Sequence, residues 1–385
     1  MSAPASTKPR KGGKRPQNFH RSKHAYTLDV AQIMSFSEEE AEAEFSRIRF
    51  ASSGGFPKCL KCGCESTTSF KRWNPSHTTS RTIYKCKMCR TQFTATSGTK
   101  LSYRKLTFKK ILIGIAMFAR TCSGFSSIDL SDFMKCDFRT AHIFGHKLRN
   151  AMRDDIDFRD GPLDGVVEAD LTEIGGYIRP KNLRSEKNKN KVGAAKKNDW
   201  KYPFRGPARK YVFAAVQRGN NGLAVMRISS TKATATSLVT EHVSRHATIH
   251  TDCGGEFENV IAKIPDHYTV NHSRTFFTGE SNTNTVESLN SSYKRAARGP
   301  YRHISDTDYA QLYADEASWR FSYRHTDTQE KFERLVQAVA LRPQSRFRGF
   351  WQNKNDFEQR RSERRHVVVA KKRTLQNDAR DGFPV

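Results

Sequence analysis

The chain has 385 residues, and its 67 lysines and arginines against 39 acidic residues give a formal net charge of +28. This length allows two or three domains with a sizeable core, and the positive excess favours a polyanionic partner, most often nucleic acid. The longest apolar run, Ile111 to Ala119, is too short to cross a bilayer, and the basic start of the chain lacks the apolar stretch of a secretion signal. We therefore expect a cytoplasmic protein with no membrane partner.

Composition divides the N-terminal region into two segments. Residues 1–26 contain seven lysines and arginines and no acid, which predicts a disordered basic arm. Residues 27–53 predict a helical lead-in, because the stretch FSEEEAEAEFSRIRF is amphipathic. Ser35 followed by Glu38 fits a capping box at the start of that helix.

Residues 54–100 predict a zinc ribbon. The segment contains two C-x-x-C pairs separated by 23 residues, Cys59 with Cys62 and Cys86 with Cys89. Each pair can point two thiolates at one ion, and four thiolates complete a closed tetrahedral Zn²⁺ site with a structural role. Cys64 is a competing ligand, although a C-x-C arrangement would break the symmetry of the two pairs. In a chain without a secretion signal, metal binding explains these cysteines better than disulfides do.

Residues 101–160 predict a helical DNA-binding segment. The glycine-containing break ARTCSGFSSIDLSDF separates predicted helices, and the last of them, near FRTAHIFGHKLRNAMR, is basic and amphipathic. A helix-turn-helix-like unit whose final helix enters a major groove fits this pattern, and a helical linker bundle is the alternative. The candidate DNA contacts on the final helix are Arg139, Lys147 and Arg149.

Residues 161–325 have a different pattern, with several short apolar runs. VVEAD, YVFAAVQ and LAVMRISS predict three strands, ATSLVTEHVSRH predicts a crossover helix, and ATIHTD and HYTVNHS predict two more strands. A helix from Thr285 to about Ala297 follows. This order predicts an RNase H-like domain with a mixed five-stranded sheet.

Two basic segments accompany the predicted sheet domain. Residues 179–210 form an insert with twelve lysines and arginines against two acids, and residues 326–385 form a basic C-terminal extension. Such segments suit phosphate contacts. The expected architecture is a multidomain combination of α+β and α/β parts.

Three carboxylates stand where chemistry on phosphodiesters would need them. Asp170 and Asp252 each end an apolar strand-like run, and Glu287 lies in the predicted helix. An acid at the end of a buried strand is costly unless a cation compensates its charge, and three converging carboxylates could hold two Mg²⁺ ions. Glu168 shares the strand face of Asp170, and Asn284 shares the helix face of Glu287, so both remain alternative ligands.

Basic and histidine side chains surround the predicted site. Lys294 lies two helical turns beyond Glu287 on the same face, and we expect it to contact a DNA phosphate, with Arg295 and Arg298 beside it. Three histidines also lie near the site and are expected to be mainly structural: His250, His272 and His303. Of these, His272 is the one that could contact the scissile region.

At these motifs the chain resembles the IS1595-type (ISXO2-like) insertion-sequence transposases of the DDE superfamily. The stretches that carry the resemblance are CLKCGC, YKCKMCRTQFTATSGT, VEADLTEIGG, HTDCGGEF, VNHS and TNTVESLNSSYKRAARGPYRHIS. The resemblance implies a zinc ribbon, a helical DNA-binding segment and a DDE catalytic domain. Asp170, Asp252 and Glu287 would be its three acids, and Lys294 the basic residue that usually follows the third. The family typically has an acid directly after the first aspartate, where this chain has Leu171.

The function implied by the resemblance is that of a DNA transposase. It would bind the terminal inverted repeats of its insertion sequence, cleave the DNA ends by metal-dependent hydrolysis and join the 3′-OH ends to target DNA. The implied cofactors are two Mg²⁺ or Mn²⁺ ions in the catalytic site and a structural Zn²⁺. Two ends must be held together, so a homodimer or higher oligomer is expected, associated with the bacterial nucleoid.

Two other functions remain open from the residues. A domesticated, catalytically silent DNA-binding protein is one, and an RNase H-like nuclease without strand transfer is the other.

Overall fold

The computed structural model describes residues 19, 22–74, 79–102, 104–157, 161–174, 210–219, 222–229, 232–252, 255–270, 282–301, 304 and 307–340. Several predictions fall outside these ranges. They concern most of the basic arm, the insert up to residue 209, the extension beyond residue 340, and His272 and His303.

Within the described ranges the strands are Thr67–Asn74 (β1), Thr79–Cys86 (β2), Gln92–Phe93 (β3), Val166–Ile174 (β4), Lys210–Gln217 (β5), Ala224–Ser229 (β6), Thr248–Asp252 (β7) and His267–Val270 (β8). The α-helices are Val30–Ser35 (α1), Glu38–Arg49 (α2), Phe108–Arg120 (α3), Ser127–Phe133 (α4), Phe138–Asp157 (α5), Ala235–His242 (α6), Asn284–Arg298 (α7), Thr307–Ser322 (α8) and Thr328–Ala340 (α9). Short 3₁₀ helices lie at Lys23–Ala25, Ala51–Ser53, Lys232–Thr234 and Gly255–Val260.

The mixed five-stranded sheet predicted from the sequence is confirmed. Its strand order is β6-β5-β4-β7-β8. In this sheet β5 pairs antiparallel with both β4 and β6. Strand β7 pairs parallel with β4, and β8 pairs parallel with β7. The predicted crossover helix is α6, and the helix expected from Thr285 to about Ala297 is α7. The ribbon forms a separate three-stranded sheet in the order β1-β2-β3.

The two faces of the five-stranded sheet are buried against different helices. Val167 and Ala169 of β4 face the larger core, which they share with residues of α3, α5 and α9. Val212 and Ala214 of β5 face the second core, where α7 covers them with Val286 and neighbouring apolar side chains. Burial on both faces explains why these strands read as continuous apolar runs in the sequence.

Helix α8 covers the edge strand β6. The amide of Ile228 donates to the Gln311 side chain at 2.9 Å, and that side chain donates to the carbonyl of Met226 at 3.0 Å. The amide of Ala224 donates to Ser322 Oγ at 2.9 Å. Polar side chains of the helix therefore satisfy backbone groups that an uncovered edge would expose for pairing with another chain.

The helical segment is not packed as a separate module. Residues of α3 and α5 belong to the same hydrophobic core as the sheet and α9, although α9 was expected to lie in a basic extension. Helices α4 and α5 do pack against each other, as a helix-turn-helix requires, but α5 also packs against α8 and α9. Much of α5 beyond its first turn is therefore buried, whereas the first turn with Arg139 is exposed, and DNA binding by this helix stays a prediction.

Arg149 of α5 takes part in a buried charge network and does not contact solvent. Its side chain is 1% exposed, and its Nε donates to Glu316 Oε2 at 2.7 Å. Arg320 donates to the other Glu316 oxygen through Nε and Nη2, at 2.9 and 2.7 Å. The prediction that Arg149 contacts DNA is wrong, because this guanidinium is enclosed in the protein and neutralised by Glu316.

The two guanidinium groups also determine the charge of Glu316. Burial by itself raises the pKa of this carboxyl, but Arg149 and Arg320 outweigh the effect and hold its pKa below the ordinary value. The charged form is thus the stable one inside the protein, and its removal would leave two buried cations without a counter-ion.

Helices α1 and α2 lie within the segment predicted as a helical lead-in, but the cap differs from the predicted one. The capping box is formed by Ser37 and Glu40, with the amide of Glu40 donating to Ser37 Oγ and the amide of Ser37 donating to Glu40 Oε2. Ser35, the residue predicted for this role, is the last residue of α1.

No helix in the described part of the chain has the length and apolar character needed to span a bilayer.

We predict that Glu316→Gln destabilises the protein by about 3–5 kcal/mol, because it leaves Arg149 and Arg320 buried without an anion. Glu258→Gln, which changes an exposed carboxylate, should alter stability by less than about 0.5 kcal/mol. Urea denaturation followed by circular dichroism measures both. Equal unfolding midpoints for the two variants would contradict the importance of the buried network.

Candidate active site and metal centre

The four predicted cysteines of the ribbon meet at one point. Their Sγ atoms all lie within 4.8 Å of one another, with Cys59 and Cys89 3.5 Å apart and Cys62 and Cys86 3.6 Å apart. Tetrahedral coordination at a Zn–S distance of about 2.3 Å places sulfurs about 3.8 Å apart. The spacing and the four thiols therefore fit a structural zinc ion held by Cys59, Cys62, Cys86 and Cys89.

The two cysteine pairs have matching backbone turns. The amide of Gly63 donates to the carbonyl of Cys59 at 3.0 Å, and the amide of Arg90 donates to the carbonyl of Cys86 at 3.1 Å. Gly63 and Arg90, each directly after the second cysteine of its pair, have φ angles of +73° and +61°. Glycine adopts this conformation without strain, whereas arginine does so at a cost, so closing the second turn works against the local preference of the chain.

Cys64 does not join the four-cysteine cluster. Its sulfur instead accepts a hydrogen bond from the amide of Ser66 at 3.3 Å. The ligand set is therefore the one expected from the two C-x-x-C pairs, without Cys64.

The two aspartates of the predicted active site lie on neighbouring strands. In the parallel pairing of β4 with β7, Ala169 is opposite Thr251, and Asp170 and Asp252 are the next residues of their strands. Neighbouring strands are about 4.8 Å apart, and residues at the same level of a parallel pair point to the same face. The sheet therefore places both carboxylates side by side on the face that α7 covers.

Helix α7 brings Glu287 and Asn290 to the aspartates. The Asn290 side chain is buried and donates from Nδ2 to Asp170 Oδ2 at 2.7 Å. Glu287 is exposed, lies one turn earlier on the same side of the helix, and accepts from Thr283 Oγ1 at 3.3 Å. The sequence analysis did not predict Asn290. Its position three residues after Glu287 places it on the same side of the helix, and this spacing could have indicated it.

The carboxylates influence one another electrostatically. Burial raises the pKa of Asp170, and the charges of Asp252 and Glu287 raise it further, while hydrogen bonds from the Leu171 amide and from Asn290 lower it. The net direction is upward, so the hydrogen bonds from Leu171 and Asn290 do not fully offset the effect of burial on Asp170. A bound cation would favour the ionised form of Asp170.

The spacing of the three carboxylates is wider than that of the thiols. Among the residues that the structure describes, the cysteine cluster is the only group of three or more candidate ligands whose atoms all lie within 4.8 Å of one another. Two-metal sites hold their ions about 3.5–4 Å apart. Different carboxylates can then bind different ions, and such a site does not need all its ligands within one coordination sphere.

The alternative ligands have other positions. Glu168 is buried and bonded to Arg218 and to the start of α7. Asn284 is exposed at the first position of α7. His250 is buried and stacks on Tyr268 with ring centres 5.4 Å apart, and burial lowers the pKa of this histidine. Neither Glu168 nor Asn284 is in a better position to bind a metal than the carboxylates, and the stacking of His250 fits the structural role expected for it.

The basic residues predicted for DNA binding differ in exposure. Arg139, Arg295 and Arg298 are exposed, and Lys294 is partly exposed on α7. Lys147 is partly buried, which lowers its pKa. DNA contacts by these five residues stay predictions.

We predict that Cys86→Ser removes the bound zinc and disrupts the ribbon, because three thiolates and a hydroxyl cannot replace a four-thiolate site. The matched control is Cys64→Ser, which changes a neighbouring cysteine outside the cluster. Metal analysis of the purified proteins should give about one zinc per chain for the control and far less for Cys86→Ser. Equal zinc content in the two variants would show that the cluster has been assigned wrongly.

The comparison with known families concerns the sheet domain. Residues 162–322 match the family model of the ISXO2-like transposase domain, a range that contains the five-stranded sheet, both aspartates and α7. The ribbon and helices α1 to α5 lie outside the match. A search of curated proteins found no significant match. Over residues 162–322 the chain is therefore similar to the ISXO2-like transposase domain, in agreement with the IS1595-type family that the sequence motifs resemble.

Proposed function

We propose that the protein is a DDE transposase that binds the terminal inverted repeats of its insertion sequence. In the first reaction, water displaces the 3′-oxygen at the end of the element and leaves a free 3′-OH. In the second, that 3′-OH displaces a 3′-oxygen of the target strand and joins the two DNAs. The observation that carries this proposal is the placement of Asp170 and Asp252 side by side, with Glu287 facing them, inside a transposase domain.

The donor set suits hard divalent cations. Asp170, Asp252 and Glu287 offer carboxylate oxygens, which Mg²⁺ and Mn²⁺ prefer over nitrogen or sulfur ligands. Burial, and to a smaller extent the charges of Asp252 and Glu287, raise the pKa of Asp170, and a bound cation would favour its ionised form. Two ions held there would supply Lewis-acid stabilisation of the attacking and leaving oxygens.

The side chains around the carboxylates have distinct tasks in this proposal. Asn290 donates a 2.7 Å hydrogen bond to Oδ2 of Asp170. The other oxygen of Asp170, Oδ1, accepts a hydrogen bond from the Leu171 amide. Lys294 follows Asn290 by one helical turn, so its ammonium group extends from the same side of α7. We expect it to bind a phosphate next to the scissile bond.

Positive charge outside the catalytic site would hold the DNA. The net charge of +28 favours binding to phosphates along both the element end and the target, and such binding weakens with salt. The ribbon carries basic residues on its exposed surface: Lys58, Lys61, Lys71, Arg72, Lys87 and Arg90. Both ends of an element must be held at once, which favours a dimer or higher oligomer.

We predict that Asp252→Asn lowers the rate of metal-dependent DNA cleavage by about 10³-fold, because a divalent ion supplies several kcal/mol of transition-state stabilisation. DNA binding should be retained, since the substitution removes a negative charge and leaves the basic residues of the ribbon unchanged. The substrate is a plasmid carrying the DNA that flanks the gene, incubated with Mg²⁺ or Mn²⁺. Cleavage is followed on gels and binding by mobility shift.

The control is Glu173→Gln, an exposed carboxylate on the same strand as Asp170, which should cleave at the wild-type rate. Wild-type protein that binds this DNA but never nicks it would instead support a silent DNA-binding protein. Cleavage without joined products would support a nuclease that lacks strand transfer.

A further inference from the structure

Glu168 is a buried carboxylate whose hydrogen-bonding capacity is completely used. It lies on β4 two residues before Asp170 and has no solvent exposure. Its Oε1 accepts from Arg218 Nε at 2.7 Å and from Thr285 Oγ1 at 2.9 Å. Its Oε2 accepts from the amides of Thr285 and Val286 at 2.7 and 3.0 Å. A carboxylate has about four acceptor positions, so Glu168 cannot bind a metal ion without breaking one of these bonds.

The two amides that Glu168 binds belong to the second and third residues of α7, in its first turn. Helices leave their N-terminal amides without partners inside the helix, and a side chain normally caps them. Thr283, at the cap position of α7, makes no such side-chain bond. The cap is instead supplied from a strand 117 residues earlier in the chain, and its negative charge also suits the positive end of the helix dipole.

Arg218 connects the same carboxylate to the segment that leads into α7. Besides its 2.7 Å ion pair with Glu168, it donates from Nη2 to the carbonyl of Asn282 at 2.7 Å. Its backbone amide donates to the carbonyl of Val166 at the start of β4. The guanidinium therefore neutralises the buried acid and ties the entry of the helix to the sheet.

Two side chains of β4 thus bind α7 at two positions along the helix axis. Glu168 binds the amides at Thr285 and Val286, and Asp170 binds Asn290 one turn further along. Consecutive residues of an α-helix are rotated by about 100° and separated by 1.5 Å along the axis. A slip of one residue would therefore turn Glu287 away from the aspartates, and the two attachments together prevent it.

We propose that Glu168 is a positioning residue that orients Glu287 toward Asp170 and Asp252 by capping α7 from the sheet, with Arg218 as its counter-ion. This inference rests on the proposed function for the identity of the site. Glu168 itself touches neither the DNA nor the metal ions in this assignment. Its effect on the reaction passes through the position of Glu287.

The test uses the full-length, zinc-loaded protein with Mn²⁺ as the probe. Glu168→Gln keeps the size of the side chain but replaces an acceptor by an amide that cannot accept all four bonds. We expect Mn²⁺ affinity at the carboxylate site to fall about 10- to 100-fold, while the number of bound ions stays the same. Both are obtained from a titration in which electron paramagnetic resonance measures the concentration of free Mn²⁺. The rate of cleavage should fall while the apparent affinity for DNA stays the same.

Two further variants separate positioning from general destabilisation and from direct ligation. Glu42→Gln changes another buried carboxylate, which accepts from the amide and hydroxyl of Thr82 in the ribbon, and should leave Mn²⁺ affinity unchanged. In the Glu287→Gln background, Glu168→Gln should have little additional effect on Mn²⁺ binding, because the group that it positions is already changed. Loss of one ion from the count, or full additivity of the two substitutions, would overturn the proposal.

A readout independent of catalysis is the hydrogen exchange of backbone amides at the start of α7. Glu168→Gln should reduce protection of peptides covering residues 284–290 by at least about tenfold, while Glu42→Gln should not. Unchanged protection refutes the capping role, whatever the activity. If protection falls but wild-type protein neither binds Mn²⁺ nor cleaves DNA, the cap is real and the proposed function is the part that fails.

Discussion

Parallel pairing of β4 with β7 places two carboxylates of like charge side by side, and the surrounding groups are arranged around this unfavourable contact. Asp170 is partly buried, and both burial and the neighbouring charges of Asp252 and Glu287 disfavour its ionised form. Hydrogen bonds from Leu171 and Asn290 oppose these effects only in part. A divalent cation bound there, as in the proposed function, would favour the ionised form of Asp170.

Buried acids elsewhere in the domain are stabilised by guanidinium groups and backbone donors, and these networks hold the helices in place. Glu168 joins β4 to the start of α7 with the help of Arg218. Glu316 joins α8 to α5 through Arg149, with Arg320 on its other oxygen. An unpaired buried charge is costly, so each network favours one arrangement of its helices. In this way ion pairs and hydrogen bonds, and not apolar packing alone, determine the positions of α5, α7 and α8.

The ribbon follows a different principle, because its ligands are close in the chain and its own core is small. Phe50 and Phe93 pack around the buried cysteines, and Tyr84 and Thr82 contact Ser46 and Glu42 of α2. A closed four-thiolate site has no open position for chemistry. A metal ion in this site would hold a basic surface in a defined shape, and the proposed chemistry belongs to the carboxylates of the sheet domain.

Much of this protein follows from the chain itself. Cysteine spacing located the four-cysteine cluster, and apolar runs located the five strands and α7, because such signals depend on residues near one another in sequence. The tertiary structure alone decided that Glu168 caps α7, that Asn290 holds Asp170 and that Arg149 is buried with Glu316, a partner 167 residues away. No local pattern distinguishes an acid that binds metal from one that caps a helix, or a buried arginine from a DNA-binding one, since the difference lies in what the folded chain places opposite each side chain.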